Sequence, residues 1–542
     1  MKDTLDLALA QLNFLVGDIE GNAQQIIASA KHARDQLQAD IVVFSELSLT
    51  GYPLEDLLLR PGIMLRVSQA LERIKKEIEG IYILLGTPTK EGEKLFNTAL
   101  LIFNSEIITV YHKQRLPNYD VFDEKRYFQQ GNDACVTNIM GVKVGITICE
   151  DIWFPGPMQK SADAGADLVV NINASPYCVD KTLDRIQILK MRVTEQHIPI
   201  VYVNQLGGQD ELVFDGESLC MNKQGELCLQ APAFEHGIYA VKYSKKQSDL
   251  IQSDCLHSPL SKLASIYQAI LLGVKDYVLK NQFDSVVLGL SGGIDSALIL
   301  AIAADALGAE NVHAIMMPFH YTSNISIEDA RQQAKILGVK FDEVPIEAAF
   351  NSITDSLAPI FSGLAQDVTE ENIQSRIRGL FLMAVSNKTG EMLLTTGNKS
   401  EMSVGYATLY GDMAGGFAPI KDVSKTLVYE LARYRNELSH VIPERVITRA
   451  PSAELAPDQV DEDSLPAYDI LDPILEKFIE QDLMIDQIVA DGFDKKVVQR
   501  VANMVLRNEY KRRQAPPGVK ITRRAFGKDR RYPITSGFLK ND

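Results

Sequence analysis

The sequence predicts an α/β protein with two unlike halves: a two-layer α/β sandwich with hairpins, then a doubly wound parallel α/β domain with a helical C-terminal portion. Three observations carry this. A chain of 542 residues exceeds what one compact core accommodates. Its first half repeats short Val/Ile-rich runs with little alternation, the pattern of strands covered on both faces. Its second half follows a β-α-β-α-β order, which closes most readily into a parallel sheet with ligands at the carboxyl ends of the strands.

In chain order, LDLALAQLNF reads as a strand, Asn22–Gln36 as a helix, and DIVVFSE as a second strand. A helix near Arg66–Glu79 follows, then the strands IYILLGT, NTALLIF, EIITVYHK, VKVGITIC, DLVVNIN and IPIVYVNQ. The pairs TALLIFN/SEIITVY and ESLCMN/GELCLQ read as hairpins around polar or glycine-containing turns. Periodicity is lost in KKQSDLIQSDCLHSPLS, which divides the chain into a domain 1–245, a linker 246–262 and a domain 263–542. The second domain opens with helix Leu263–Lys280, strand DSVVLGL, a glycine turn and helix ALILAIAADALGA. Strand VHAIMMP, helix SIEDARQQAKILG and a strand near FDEVPI come next, and roughly the last 90 residues read as helical, ending in a basic stretch.

Composition narrows the function. Fifty-five basic against 71 acidic residues give a net charge of −16, which repels nucleic acid and anionic membrane. The basic tail (Lys511, Arg512, Arg513, Arg523, Arg524, Arg530, Arg531) has no interleaved aromatic residues, so it reads as a solvated face with one or two ligand contacts rather than an RNA site. The N-terminus lacks a signal peptide's pattern and no apolar run approaches about 20 residues, so a soluble, cytoplasmic protein is expected. All six cysteines lie in the first half, without a CxxC pair or zinc-finger spacing, and in a reducing cytosol most read as packing residues.

One loop announces chemistry. Strand Asp284–Leu290 leads through Gly289 and Leu290 into Ser291-Gly292-Gly293-Ile294-Asp295-Ser296, and an apolar helix follows. Two glycines let backbone N–H groups form an anion nest, and the helix start adds positive potential suited to a pyrophosphate. Neither the Walker A ending nor GxGxxG is present. A carboxylate at 295 repels phosphate unless a cation intervenes, so it implies Mg²⁺; the bland alternative makes Asp295 and Ser296 helix caps.

This loop resembles the SGGxDS signature of the N-type ATP pyrophosphatases, and ENIQSRIRG, TTGNKSE, YGDMAGG and PIKDVSKT further resemble the synthetase domain of NAD synthetases. The resemblance implies that Gly289, Leu290, Ser291–Ser296 (with Gly292, Gly293, Ile294 and Asp295) and Thr396 bind ATP, with Lys425 and Ser452 on its phosphates. It implies Mg²⁺ on Asp295 and Glu401, and deamido-NAD on Asn372, Arg376, Glu401 and Lys511. Ammonia-only members carry a lysine near Leu409 and an acid near Phe417, where this sequence departs. Helix Glu371–Lys388 is expected to bury Ile373, Ile377, Leu380, Phe381 and Ala384, leaving Asn372 and Arg376 together on its other side.

The first half should then supply nitrogen. Glu46, Lys113 and Cys149 each stand at a strand end; alone, each has a bland reading as cap, surface charge or packing. Together they make a nucleophile, its base and an oxyanion-stabilising cation. GYPLEDLL, KQRLPNYDVFDEKRYF, CEDIWFP and NASPY resemble the nitrilase-like glutaminase domain of glutamine-dependent NAD synthetases, which implies an α-β-β-α sandwich. By that match Tyr119, Ser175 and Lys181 bind glutamine, Glu124 is a second active-site acid, and Trp153 either walls the pocket or packs in the core. His112 and His197 lack an obvious Asp or Asn partner, which disfavours a Cys-His pair. The family implies glutamine, ATP and deamido-NAD as substrates, an internal ammonia passage and a homo-oligomer with paired synthetase domains. The rivals are amination of a nucleobase carbonyl, as in GMP synthetases, and a nitrilase-like half retained as a scaffold.

Overall fold

The computed structural model describes residues 2–452, 454–456 and 459–538. The chain divides into two compact units, Met1–Ser261 and Lys262–Asp542.

In the first unit the strands are β1 (Thr4–Gln11), β2 (Ile41–Val43), β3 (Tyr82–Glu91), β4 (Lys94–Phe103), β5 (Glu106–His112), β6 (Val136–Ile139), β7 (Val142–Ile148) and β8 (Leu168–Asn173). They continue as β9 (Ile200–Asn204), β10 (Leu206–Gln209), β11 (Leu212–Asp215), β12 (Leu219–Met221), β13 (Leu227–Gln230), β14 (Gly237–Ser244) and β15 (Asp249–Ile251). Helices α1 (Ile19–Asp35), α2 (Ile63–Glu77), α3 (Pro155–Asp163) and α4 (Lys181–Gln196) join them. Seven strands form one sheet in the order β15-β14-β1-β2-β3-β4-β5, six form another as β13-β12-β9-β8-β7-β6, and β10 and β11 pair separately.

The strand pleat sorts the side chains into layers. From β1, Leu5, Leu7 and Leu9 face an inner core shared with Leu168, Val170 and Ile172 of β8. Ala8 and Ala10 face the opposite side, against Ile26, Ala30, Val67 and Ile74 of α1 and α2. Val169 of β8 packs on Leu189 and Val193 of α4. These are the layers of an α-β-β-α sandwich. Both expected hairpins form; β4 and β5 turn through Asn104 and Ser105, whose positive φ angles of 43° and 70° match the right-handed strand twist.

The stretch expected as a linker carries a strand. β15 pairs with β14, Lys242 opposite Ile251 and Ser244 opposite Asp249, and the division between units falls after Ser261. KKQS is the hairpin turn; a tight turn and a linker share the same polar composition, so sequence alone does not separate them.

The second unit contains helices α5 (Lys262–Lys280), α6 (Ile294–Leu307), α7 (Asn324–Leu337), α8 (Glu347–Phe361), α9 (Val368–Thr389), α10 (Lys399–Val404) and α11 (Lys425–Leu438). Next come α12 (Glu444–Thr448), α13 (Tyr468–Leu475), α14 (Ile485–Ala490), α15 (Lys495–Arg507) and α16 (Glu509–Arg512). Its strands β16 (Val286–Gly289), β17 (Val312–Met316), β18 (Lys340–Glu343) and β19 (Met392–Leu394) form an all-parallel sheet in the order β18-β17-β16-β19. The chain reverses direction across the sheet between β16 and β19, so the loops after these two strands flank the crevice where such sheets bind ligands. Among the C-terminal helices, α15 buries Val498, Val501, Ala502 and Val505 along one stripe, against Leu471, Ile474 and Leu475 of α13.

Helix α9 is rotated from its expected orientation. Ile373 and Ile377 are buried, but Leu380 is 62% exposed, Ala384 is also exposed and Phe381 is half-buried. The buried positions are instead Gln374, Ser375 and Gly379. A Cβ at Gly379 would lie 2.8 Å from the carbonyl oxygen of Gly411, so the helix docks a loop against its smallest residue and turns the leucine outward. Among the described residues no helix is long and apolar enough to cross a membrane.

Candidate active sites

In the first unit, three strand ends converge. Glu46 follows β2, Lys113 follows β5, and Cys149 follows β7 at the start of a 3-10 turn, Cys149–Trp153. The Lys113 ammonium donates to Glu46 Oε1 at 2.6 Å and to Glu124 Oε1 at 2.7 Å, and the three side chains are 0–4% exposed. Glu46 also accepts from Asn97 Nδ2 (2.7 Å) and the Ala174 amide (3.0 Å), which fixes both of its oxygens. Glu124 accepts from the Tyr52 hydroxyl at 2.9 Å.

Electrostatics sort these groups. Burial disfavours the Lys113 charge, yet Glu124 and Glu46 hold its pKa well above the usual range. Burial pushes the Glu124 carboxyl up to about 7, against the pull of Lys113. Burial and the Glu46 charge push the Cys149 thiol well above its ordinary value, so the sulfur rests protonated beside a carboxylate. Cys149 has a φ of +44°, a left-handed conformation that costs a non-glycine residue about 1–3 kcal/mol and recurs at functional positions. His112 is engaged by Thr98 and Glu91, away from the thiol, so a Cys-His pair is not built.

The candidate glutamine ligands surround this center. Tyr119 donates its hydroxyl to Glu150 Oε1 at 2.7 Å, one residue beyond the cysteine. The Lys181 ammonium lies 4.1 Å from the centroid of the Trp153 ring, which makes that ring a wall for a cation. Burial lowers the Lys181 pKa. The Ser175 amide donates to Asn204 Oδ1 (2.9 Å), and its carbonyl accepts from buried Arg185 (2.9 Å), itself paired with Asp215 at 2.7 Å. Sequence reasoning missed Asn97, Tyr52, Glu150, Asp151 and Arg185; the CED run after β7 was the one available signal for two of them.

In the second unit the loop Ser291–Ser296 joins β16 to α6. Ser296 Oγ accepts from the Ser291 amide (3.2 Å) and donates to the Gly293 carbonyl (3.0 Å), closing the turn. Gly292 has φ +79°, and a Cβ there would lie 2.3 Å from the Ser326 carbonyl oxygen at the start of α7, so only glycine permits this approach. Asp295 accepts from Asn398 Nδ2 (2.9 Å) and from Lys425 Nζ (2.5 Å), and the same ammonium reaches Glu401 Oε1 at 3.2 Å. Asn398, just after Thr396 and Gly397, caps α10 by accepting from the Glu401 amide at 3.0 Å. Burial pushes the Glu401 carboxyl up to about 8; Lys425 offsets part of this and the Asp295 charge adds to it. Burial opposes the Lys425 charge, but the two carboxylates raise its pKa above the ordinary value. Asp295 and Glu401 bring two oxygen-donor carboxyl groups together at one point; a hard divalent cation shared with phosphate would fit such a set and would favour the ionised form of Glu401. Among the described residues no cluster of three or more His, Cys, Asp or Glu side chains forms a metal cage.

The remaining candidates collect around residues 405–412. Asn372 accepts from the Thr408 hydroxyl (2.9 Å), Arg376 donates to the Leu409 carbonyl (3.2 Å), and Lys511 donates to the carbonyls of Gly405 and Ala407 (2.7 Å each). The Ser452 hydroxyl bonds within its own segment, to the Gln459 carbonyl and the Glu454 amide. The side chain that reaches the Gly292 carbonyl, at 3.4 Å, is Arg449, which sequence reasoning missed.

The first unit matches the carbon-nitrogen hydrolase family over residues 6–249, and the second matches NAD synthase over residues 266–515. The glutamine-dependent NAD(+) synthetase of Acinetobacter baylyi is 49% identical over 540 residues, 99% of each chain. This chain belongs to the glutamine-dependent NAD(+) synthetase family. The Thermotoga maritima member is 44% identical over 573 residues, 98% of this chain and 99% of that one. The structure of the Acinetobacter baumannii glutamine-dependent NAD+ synthetase in complex with ADP is 47% identical, covers 99% of this chain and 100% of its own, and gives a TM-score of 0.81. As a glutamine-dependent NAD synthetase, the chain is an ATP-dependent ligase that forms NAD with nitrogen from glutamine, the last step of NAD biosynthesis.

Proposed function

We propose that Cys149 is the nucleophile of the glutaminase center, Glu46 its base, Lys113 its oxyanion cation and Glu124 the acid that holds Lys113. The observation that carries this reading is the sealed cluster in which Lys113 bridges Glu46 and Glu124 beside a protonated thiol. A thiol that rests protonated needs a base at the moment of attack, and Glu46 takes its proton. The thiolate adds to the glutamine carboxamide, and Lys113 with a backbone N–H stabilises the oxyanion. Glu46 returns the proton to the departing nitrogen, ammonia leaves, and a glutamyl thioester remains. Water deprotonated by Glu46 then releases glutamate and the thiol. Tyr119, Ser175 and Lys181 orient the glutamine, Lys181 facing its carboxylate.

In the second unit Ser291–Ser296, with Gly289, Leu290 and Thr396, cradle ATP, and Lys425 and Ser452 meet its phosphates. Asn372, Arg376, Glu401 and Lys511 hold deamido-NAD. Its nicotinate carboxylate attacks the α-phosphorus and pyrophosphate leaves; ammonia then adds to the resulting acyl adenylate and AMP leaves. Asp295 and Glu401 fit Mg²⁺, which supplies neutralisation of phosphate charge when bound. Ammonia in neutral water is mostly ammonium, so the fused activities call for a water-poor passage between centers. A cytoplasmic homo-oligomer with paired synthetase domains completes the reading.

Cys149→Ala should abolish NAD formation from glutamine and preserve it from ammonium salts. Equal loss of both activities would overturn the division of labour.

A further inference from the structure

Two residues past the nucleophile, the buried side chain of Asp151 ties together two arms of the glutaminase center. Its Oδ2 accepts from the Ile148 amide at 3.0 Å, immediately before Cys149, and from the Tyr111 hydroxyl of β5 at 2.7 Å. Its Oδ1 accepts from the amides of Gln114 (3.1 Å) and Arg115 (2.8 Å), immediately after Lys113. One oxygen thus joins the turn that carries the sulfur to β5, and the other holds the turn that follows the ammonium. The side chain is 0% exposed, so no water substitutes for any of these four contacts.

The need for such a tie follows from the backbone. β5 and β7 belong to different sheets, so no strand ladder links the Lys113 turn to the Cys149 turn. Cys149 is held at φ +44°, a conformation that relaxes unless its surroundings enforce it. A carboxylate that accepts from the preceding amide clamps the entry to this turn and references it to the lysine.

We propose that Asp151 is a positioning residue of the glutamine reaction, setting the separation between the Cys149 sulfur and the Lys113 ammonium through backbone contacts on both sides. It touches neither substrate nor sulfur. An asparagine keeps the shape but replaces one acceptor oxygen with a donor NH₂, which then faces backbone N–H groups or the Tyr111 hydroxyl. The resulting displacement should appear in the chemical step, where an error near 1 Å costs about 10²-fold. This inference rests on the glutaminase reading of Cys149.

The test uses the full-length enzyme. Asp151→Asn should lower kcat for glutamine hydrolysis by about 10²-fold with KM for glutamine within about 3-fold, and slow alkylation of Cys149 by iodoacetamide. Synthesis from ammonium chloride should stay within about 2-fold, which reports a folded chain. Tyr111→Phe removes a single bond and should lower kcat by about 5-fold. Unchanged kcat in Asp151→Asn, or a loss confined to KM, would overturn the proposal. If Asp151→Asn does not yield folded protein, Tyr111→Phe decides: reduced kcat supports the proposal and unchanged kcat overturns it. Failure of the underlying reading has a different signature, because Cys149→Ala would then still use glutamine.

Discussion

Each candidate active site places a lysine between two carboxyl groups, and these two clusters differ in how they meet solvent. Around Lys113, the side chains of Glu46 and Glu124 are 0% and 4% exposed; around Lys425, those of Asp295 and Glu401 are each 16% exposed. The first is a permanent fixture, since glutamine arrives without bringing charge to that lysine. On the proposed reading the second must open, because Lys425 would turn to phosphate and the two carboxyl groups to a metal ion when nucleotide binds. Burial therefore sets whether a charge cluster acts as scaffold or as exchangeable seat.

Removing each lysine tests this contrast most severely. Lys113→Met leaves two carboxylates uncompensated in a sealed site, so it should destabilise the fold by about 3–5 kcal/mol and abolish glutamine use. Lys425→Met should stop synthesis from both nitrogen sources with a distinctly smaller stability loss. Denaturant titration of both variants checks the difference, and equal losses would break the comparison. Asp295→Asn should lower synthesis from either nitrogen source by about 10²–10³-fold while glutamine hydrolysis continues. Pyrophosphate release and ammonia release, measured on one sample, separate the two.

The nucleotide loop offers a narrower test. Gly292→Ala puts a methyl group 2.3 Å from the Ser326 carbonyl oxygen in a left-handed backbone, so the loop must move. We expect KM for ATP to rise about tenfold or more, with glutamine hydrolysis unaffected. A normal KM would mean that the loop tolerates displacement from α7.

Much of this was legible before the structure. Glu46, Lys113 and Cys149 were singled out as strand-end residues, where an α/β sheet presents side chains, and Asp295 as a carboxylate inside a glycine turn; the structure joins Lys113 to Glu46 and Lys425 to Asp295. Asn97 and Tyr52 were not found. Asn97 lies within β4, in a run that reads as ordinary strand, and its amide gains meaning only when pairing brings it to Glu46. Tyr52 reaches Glu124 across 72 residues. The face of α9 was misread because periodicity counts apolar residues, whereas docking followed the small Gly379 that admits Gly411. The hairpin turn before β15 resembled a linker because both need polar residues.

Proton occupancy separates the clusters further. Burial raises the Glu124 carboxyl to about 7, so it protonates as the pH falls through 7 and its ion pair with Lys113 is lost. Glutamine hydrolysis should therefore decline on the acid side of about pH 7. Glu124→Gln should lower the plateau and remove this limb from glutamine hydrolysis. A limb that persists in Glu124→Gln would assign the titration to another group.

The smallest effect probes how finely the sealed cluster is tuned. Tyr52 donates a single hydrogen bond to Glu124, on the same oxygen that accepts from Lys113. Tyr52→Phe deletes that donor without opening the site, since Tyr52 itself is 4% exposed and packs edge-on against Phe214. Losing a hydrogen bond to a charged group costs about 1.5–3 kcal/mol when ionised Glu124 is required, and its absence makes ionisation harder. The acid limb should accordingly move to higher pH, with the high-pH plateau close to that of the parent enzyme. A lowered plateau with an unmoved limb would show instead that Tyr52 acts through packing, and the cluster would then owe its tuning to burial and Lys113 alone.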